Sequence, residues 1–180
     1  MTIFTKRIMK KIAVISDTHS FIDSKIYKLI NNCDEIWHAG DFGFNDDIKK
    51  FIESHKIKGV YGNIDGNYIR KHFPKIQKFQ CEEMKVLMTH IGGYPNKYKP
   101  EIEQIIKKYK PHLFISGHSH ILKIMRDKQY KLLHINPGAA GKEGFHKMRT
   151  MVLLEIHGKH IKNVQVAELG PTIKSTKSIN

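Results

Sequence analysis

The segment Ile12-Ala13-Val14-Ile15-Ser16-Asp17-Thr18-His19 decides the fold of this chain. Its first half is apolar and rich in β-branched residues, which is typical of a strand buried on both faces. Its second half is small or polar and contains a carboxylate and an imidazole. A buried strand that ends in such a loop predicts an open α/β sheet with functional groups at the carboxyl ends of its strands.

The stretches that follow alternate between helix and strand patterns. Apolar residues at helical spacing predict helices over 24–31 and 46–54, and short apolar runs predict strands over 35–39 and 59–61. With the strand over 12–15, these elements form a β-α-β-α-β opening. This order predicts a parallel sheet with right-handed crossovers.

The second half of the chain has a different pattern, in which apolar runs flank short polar turns and predict antiparallel hairpins. A helix over 100–109, with Pro100 in its first turn, and a strand over 113–115 are also predicted. The predicted hairpin strands cover 75–84, 85–89, 121–126, 131–135, 151–156 and 161–166.

Length and composition predict one globular domain, because 180 residues with 40% hydrophobic content can bury a sizeable core. We expect an N-terminal extension over 1–8, a single domain over 9–170 and a flexible tail over 171–180. The sequence contains no signal-peptide core and no apolar run long enough to span a bilayer, so we expect a cytoplasmic protein without a membrane partner. Cys33 and Cys81 are too few for a disulfide framework and are expected to act as small hydrophobic residues.

The formal net charge of +14 raises the question of a nucleic-acid partner. Only four of the 31 basic residues are arginines, the residue type suited to bidentate phosphate contacts, and the lysines are spread along the chain. This distribution favours a lysine-rich solvated surface over a polyanion-binding patch. Nucleic acid remains an alternative partner, but it is not favoured.

Five loops that follow predicted strands each carry a side chain able to bind a metal ion. They are Asp17-Thr18-His19, Gly40-Asp41, Gly62-Asn63-Ile64-Asp65, Thr89-His90 and Gly117-His118-Ser119-His120. Because the carboxyl ends of parallel strands meet at one crevice, we expect these loops to lie together. The adjacent glycines suit tight turns in which the backbone approaches its neighbours closely.

The candidate ligands are carboxylate, imidazole and amide groups, with no thiolate among them. This mixture suits Mn, Fe, Co, Ni or Zn and argues against a structural thiolate zinc site. Seven ligands are too many for one ion and suit two. Taken singly, each aspartate could be a turn former and each histidine a hydrogen-bonded loop residue; the conjunction favours a metal centre.

The motifs D-x-H, G-D, G-N-x-D, H and G-H-x-H resemble those of the calcineurin-like metallophosphoesterase superfamily, with a spacing similar to its small bacterial and archaeal phosphodiesterase branch. Asn136-Pro137-Gly138 resembles the N-P-G turn of that branch. The resemblance implies an α+β fold, a four-layer αββα sandwich of two mixed sheets flanked by helices. It also implies two divalent ions, with Mn²⁺ expected first and Fe, Ni, Co or Zn as alternatives.

The resemblance also implies the role of each ligand. Asp17, His19 and His120 would hold the first ion, Asn63, His90 and His118 the second, and Asp41 would bridge both. A hydroxide between the ions would attack phosphorus in a small phosphate-ester substrate, and the residues expected nearest to this chemistry are Asp41, Asn63 and His90.

One position departs from the superfamily pattern. Ile64 stands where many members have a histidine beside the leaving group, and this loss favours diesters with stable leaving groups. Asp65, which elsewhere supports that histidine, is expected to cap the next helix or to support the site.

Several other side chains are weaker candidates. His38 could support Asp41, and His146 and Arg149 could reach a substrate phosphate. The aromatic residues Trp37, Phe42 and Phe44 could line a cleft, although core packing is the favoured interpretation.

Two other functions compete with a phosphodiesterase. A relative of this fold serves as a non-catalytic scaffold in the retromer complex, and a nuclease would fit the basic charge. A homo-oligomer is also compatible with the sequence.

Overall fold

The computed structural model describes residues 9–172 of the chain. These residues contain twelve strands and four helices, joined by loops. In chain order they are β1 Lys10–Ile15, α1 Ser24–Ile30, β2 Glu35–His38, α2 Asp46–Ser54, β3 Ile57–Gly59, α3 Asn67–His72, β4 Ile76–Cys81, β5 Met84–Thr89, β6 Gly93–Tyr94, β7 Lys97–Tyr98, α4 Pro100–Tyr109, β8 Leu113–Ile115, β9 Leu122–Asp127, β10 Leu132–Pro137, β11 Met148–His157 and β12 His160–Pro171. The expected extension over 1–8 and residues 173–180 of the expected tail lie outside the described residues.

The strands form two mixed sheets of five strands each. Sheet A has the order β12-β11-β1-β2-β3. Strands β1, β2 and β3 are parallel, β11 is antiparallel to β1, and β12 is antiparallel to β11. Sheet B has the order β4-β5-β8-β10-β9, with β5, β8 and β10 parallel. The predicted parallel opening and the predicted hairpins are therefore confirmed.

The apolar run of β1 is explained by burial on both faces. Ile12 and Val14 pack into the core between the two sheets, whereas Ala13 and Ile15 pack toward α1 and α2. On the far side of sheet B, α4 packs its buried isoleucines against the sheet. The chain is therefore a four-layer αββα sandwich, and the expected fold class is confirmed.

Side-chain caps fix where the first two helices begin. The carboxylate of Asp23 accepts a hydrogen bond from the backbone of Ile26 at the start of α1, and the Asn45 side chain does the same for Ile48 in α2. The bounds of α2 and α4 coincide with the predicted ones, because both helices have clear apolar faces and clear start signals.

Several elements differ from the sequence expectation. Among the hairpin strands, β4 ends at Cys81 rather than at 84, β11 begins at Met148 rather than at 151, and β12 continues to Pro171 rather than ending at 166. The third strand is Ile57–Gly59 rather than 59–61, because Tyr61 already turns away to bond the carbonyl of Pro74. The short helix α3 and the β6–β7 hairpin were not predicted. The N-cap of α3 is Gly66, which has no capping side chain, and each hairpin strand has only two residues.

The aromatic and cysteine predictions have mixed outcomes. Trp37 and Phe42 are buried in the core, whereas Phe44 is half-exposed and packs against the ring of Tyr68. Cys81 is buried and Cys33 is partly buried, and both are free thiols. Within residues 9–172, no helix is long and apolar enough to cross a membrane.

Candidate metal centre

The predicted ligands collect where the carboxyl ends of strands from both sheets meet. Two groups of side chains each bring their ligand atoms within 4.8 Å of one another. The first group is Asp17, His19 and His120, and the second is Asp41, His90 and His118. Asn63 joins the second group, because its Oδ1 lies 3.1 Å from His90 Nε2.

Asp17 is fully buried, yet only one of its two carboxylate oxygens accepts a hydrogen bond from the described residues. Its Oδ2 accepts a hydrogen bond from the backbone of His118 at 3.1 Å. Its Oδ1 accepts no hydrogen bond from the described residues and lies 3.2 Å from His120 Nε2. His19 Nε2 is likewise buried without a hydrogen bond. Unpaired buried polar atoms cost about 1–3 kcal/mol each, so both atoms fit metal ligands.

The imidazole of His90 presents a free lone pair to the site. Its Nδ1–H donates to the carbonyl of Ala39 at 2.8 Å, which leaves Nε2 without a proton in the neutral ring. That Nε2 lies 3.2 Å from Asp41 Oδ2 and 3.1 Å from Asn63 Oδ1. Three atoms whose lone pairs face one another fit the ligands of a shared cation. A histidine that binds a metal ion commonly donates its other ring N–H to a backbone carbonyl, as His90 does to Ala39.

His120 is oriented in the same way, but by another histidine. His146 Nε2–H donates to the carbonyl of Gly141 at 3.0 Å, so its Nδ1 can only accept. His120 Nδ1–H supplies that hydrogen bond at 3.3 Å. His120 Nε2 is therefore left to face Asp17. His146 lies behind a candidate ligand, and the predicted contact with a phosphate has no support in these contacts.

His38 is buried beneath the loop that carries Asp41. Its Nδ1 accepts from the backbone of Gly40 at 3.2 Å, and its Nε2–H donates to Thr18 Oγ1 at 3.0 Å. Burial lowers the pKa of His38 well below its usual value, so the ring is neutral. It ties the first two loops together, as expected of a supporting residue.

Asp65 ties the loop that carries Asp41 to its own loop, which carries Asn63. Its Oδ1 accepts from the backbone of Gly43 at 3.0 Å and its Oδ2 from Gly62 at 2.7 Å. Burial raises the pKa of this carboxyl group. Of the two expected roles, Asp65 has the supporting one, because the helix that follows begins at Gly66 without a side-chain cap.

The contacts of Arg149 do not support its predicted role at a phosphate. Its Nη2 donates to Asp23 Oδ2 at 2.7 Å and to the carbonyl of Leu169 at 2.8 Å, and its Nη1 donates to the carbonyl of Ala140 at 3.3 Å. The side chain is buried. Arg149 therefore links β11 to the start of α1.

The backbone of the site is strained in a way that the sequence did not reveal. Asp17, His19, Asp41, His118 and His120 all have left-handed φ angles, between 45° and 69°. Such conformations are uncommon for residues other than glycine and concentrate at functional sites.

The glycines of these loops are required by close packing. A Cβ atom at Gly62 would lie 1.9 Å from Asp41 Oδ1, and one at Gly40 would lie 2.7 Å from the His90 ring. Glycine therefore lets the loops approach one another.

Sequence reasoning also missed Glu143. Its Oε2 lies 3.6 Å from His19 Nδ1, at the outer side of the first ligand group. It lies in the long loop between β10 and β11, where no strand end or motif spacing indicates it.

The two carboxylates of the site favour positive charge on His90 and His120, whereas burial and the adjacent His90 lower the pKa of His118. Burial opposes a charge on His90, but the adjacent Asp41 and Asp17 carboxylates raise the pKa of His90. The contact with Asp17 also raises the pKa of His120, and His90 lowers the pKa of Asp41 against the effect of burial. Both ligand groups therefore attract a cation.

An αββα sandwich with two groups of aspartate and histidine ligands at its strand ends defines a protein of the metallophosphoesterase class. The family model described as the calcineurin-like phosphoesterase superfamily domain matches residues 9–159. The chain belongs to this superfamily.

Solved structures with this fold include a phosphodiesterase, a predicted phosphoesterase and a vacuolar sorting protein. A novel archaeal phosphodiesterase is 23% identical, with a TM-score of 0.68, and the match covers 88% of this chain and 99% of that one. A predicted phosphoesterase from Streptococcus pneumoniae is 18% identical, with a TM-score of 0.61 and coverage of 89% and 98%. Wild-type Vps29 from Entamoeba histolytica, complexed with Zn²⁺, is 16% identical, with a TM-score of 0.67 and coverage of 88% and 98%. No curated protein sequence matches the chain significantly.

Proposed function

We propose that the chain is a phosphodiesterase that uses two divalent metal ions. The observation that carries this proposal is the convergence of seven candidate ligands from five separate loops into two adjoining groups. Superfamily membership supports the reaction class, because this superfamily consists of metal-dependent phosphoesterases. The structural likeness to an archaeal phosphodiesterase supports the diester as substrate.

In this proposal, Asp41 lies between the two groups and would bridge the ions. Its Oδ2 is 3.7 Å from His19 Nε2 and 3.2 Å from His90 Nε2, so one carboxylate oxygen faces a ligand of each group. Asp17, His19 and His120 would hold one ion, and Asn63, His90 and His118 the other. Two such ions supply a water-derived nucleophile at neutral pH and neutralise charge on the phosphoryl oxygens.

The position of Ile64 supports a diester with a stable leaving group. Its backbone N–H donates to Asp41 Oδ1 at 3.1 Å, and its half-exposed side chain has no proton to give. The absence of a general acid costs about 10²–10⁴-fold for poor leaving groups. Aryl diesters depend least on that proton and should be the best substrates.

The nitrogen and oxygen donors suit Mn²⁺, which we propose as the preferred ion, and they also suit Fe, Ni, Co or Zn. Metal binding alone does not distinguish an enzyme from a scaffold, because a Vps29 structure of the same fold contains Zn²⁺. The likeness to Vps29 is the observation that favours the scaffold as second candidate. Turnover must therefore be measured.

The test is restoration of activity to chelator-treated protein. We expect Mn²⁺ to restore cleavage of bis(p-nitrophenyl) phosphate, faster than cleavage of p-nitrophenyl phosphate. Asp41→Asn should abolish this activity, and Asp47→Asn, at an exposed position of α2, should retain it. A preference for the monoester would contradict the diesterase. Metal uptake without turnover of any diester would favour the scaffold, and salt-sensitive cleavage of single-stranded DNA would indicate a nuclease.

A further inference from the structure

A cavity of about 290 Å³ lies beside the candidate metal centre. It lies between the β6–β7 hairpin and the face of sheet B that also packs against α4. The hairpin contributes Tyr94, and the sheet contributes Lys123 and His134. The candidate ligand His118 lines the same cavity. A substituent on a phosphorus atom held at the metal centre could therefore extend into it.

The lining of the cavity is positively charged. Lys99 and Lys123 both line it, and no carboxylate does so among residues 9–172. Within the same range, neither lysine has an ion-pair partner. The ammonium group of Lys123 lies 3.6 Å from the centre of the Tyr94 ring. The cavity therefore combines two available cations with an aromatic wall.

The inner surface of the cavity also contains an unpaired polar atom. His134 is 1% exposed, and its Nε2 is hydrogen-bonded to Ser116 Oγ at 3.0 Å. Its Nδ1 is buried and has no hydrogen-bond partner among the described residues. A buried polar side chain that lines a cavity and lacks one partner is a feature of ligand sites.

The size of the cavity limits what it can hold. A volume of about 290 Å³ is at the lower end for small-molecule sites, which suits one ring with its substituents rather than a polymer. The ring could pack against Ile121, since Lys123 already covers one face of the Tyr94 ring, and a negative group on the ring could face the two lysines.

We propose that this cavity binds one ester group of the substrate, and that this group is a ring that carries a negative charge. The inference rests on the proposed function, since it assumes that phosphorus lies at the metal centre. It adds the substrate class, which is a phosphodiester with a second anionic group on one ester arm. Lys99 and Lys123 would bind that anion.

Binding of two phosphonates tests the charge preference without turnover. The probes are phenylphosphonate and 4-phosphonobenzoate, which differ by one carboxylate, and calorimetry on the Mn²⁺-loaded protein gives their affinities. We expect 4-phosphonobenzoate to bind about fivefold more tightly, which corresponds to one exposed ion pair of about 1 kcal/mol. Lys123→Met and Lys99→Met should each reduce this ratio. Lys97→Met, on the β6–β7 hairpin but outside the cavity lining, should leave the affinity ratio unchanged.

A ratio of one in the unaltered protein would overturn the inference, as would an equal ratio in all three variants. Hydrolysis of p-nitrophenyl diesters with a phenyl or a 4-carboxyphenyl arm is measured in parallel. If diesters are cleaved without any preference for the carboxylate, the inference fails and the phosphodiesterase stands. If the phosphonate ratio holds but no diester is cleaved, the cavity assignment stands and the phosphodiesterase fails.

Discussion

Replacing His134 with glutamine should reduce the acid sensitivity of the fold. Burial lowers the pKa of His134 from 6.5 to about 4, because the ring lies under the β6–β7 hairpin and beside Phe114. The unfolded chain takes up a proton at this residue near pH 6.5, whereas the folded protein takes it up only near pH 4. Stability is therefore complete above about pH 6.5 and falls as the pH decreases through this window.

The magnitude follows from the size of the shift. A difference of about 2.5 pKa units corresponds to about 3 kcal/mol of unfolding free energy lost below pH 4, of which about 2 kcal/mol is lost by pH 5. Urea denaturation in the presence of a chelator, at pH 7 and pH 5, measures this loss without a contribution from bound metal. In His134→Gln the loss between the two pH values should be about 2 kcal/mol smaller.

The control for His134→Gln is the same substitution at a histidine that is not buried. His160→Gln alters an exposed residue at the start of β12 and should lose stability with pH as the unaltered protein does. If His134→Gln and the unaltered protein lost equal stability between pH 7 and pH 5, the burial argument would be refuted.

Three further predictions concern the metal centre. Gly62→Ala would place a methyl group 1.9 Å from Asp41 Oδ1. Urea denaturation should therefore show an unfolding free energy lower by about 1–3 kcal/mol, and metal titration should show a weaker affinity. An unchanged metal affinity would contradict the packing argument. His146→Leu removes the acceptor that orients His120. Competition with a chelator should then show about 10–100-fold weaker metal binding, while the circular dichroism spectrum stays unchanged. Metal binding as tight as in the unaltered protein would exclude this orienting role. Ile64→His places a proton donor near the leaving group and should raise monoester hydrolysis relative to diester hydrolysis; an unchanged ratio of the two rates would contradict the leaving-group argument.

The sequence predicted the parts of the fold that depend on local pattern. The apolar run over 12–15 indicates burial on both faces, and the polar loop after it indicates a strand end. The same logic applies to Asp41, His90 and His118, each of which follows a strand. The residue types of the ligands, and therefore their chemistry, could be read in advance because they are a property of the sequence alone.

Long-range contacts could not be predicted in the same way. Arg149 pairs with Asp23, a residue 126 positions away, and no local pattern connects them. The role of His146 depends on two hydrogen bonds, one of them to His120, that exist only after the long loop between β10 and β11 has packed. The left-handed backbone at Asp17 and at four of the other candidate ligands likewise has no signal in the local sequence pattern. The short helix α3 lacks a capping side chain, so its start gave no sequence signal.

The two sheets contribute two halves of the candidate ligand set. Asp17, His19, Asp41 and Asn63 follow strands of sheet A, whereas His90, His118 and His120 follow strands of sheet B. An ion held by both halves would join the two sheets at that edge, and its affinity would decrease as soon as they separated by a fraction of an ångström. Divalent-ion affinity would thus report how closely the two layers are docked, and it should decrease under mild denaturant before the strands themselves come apart.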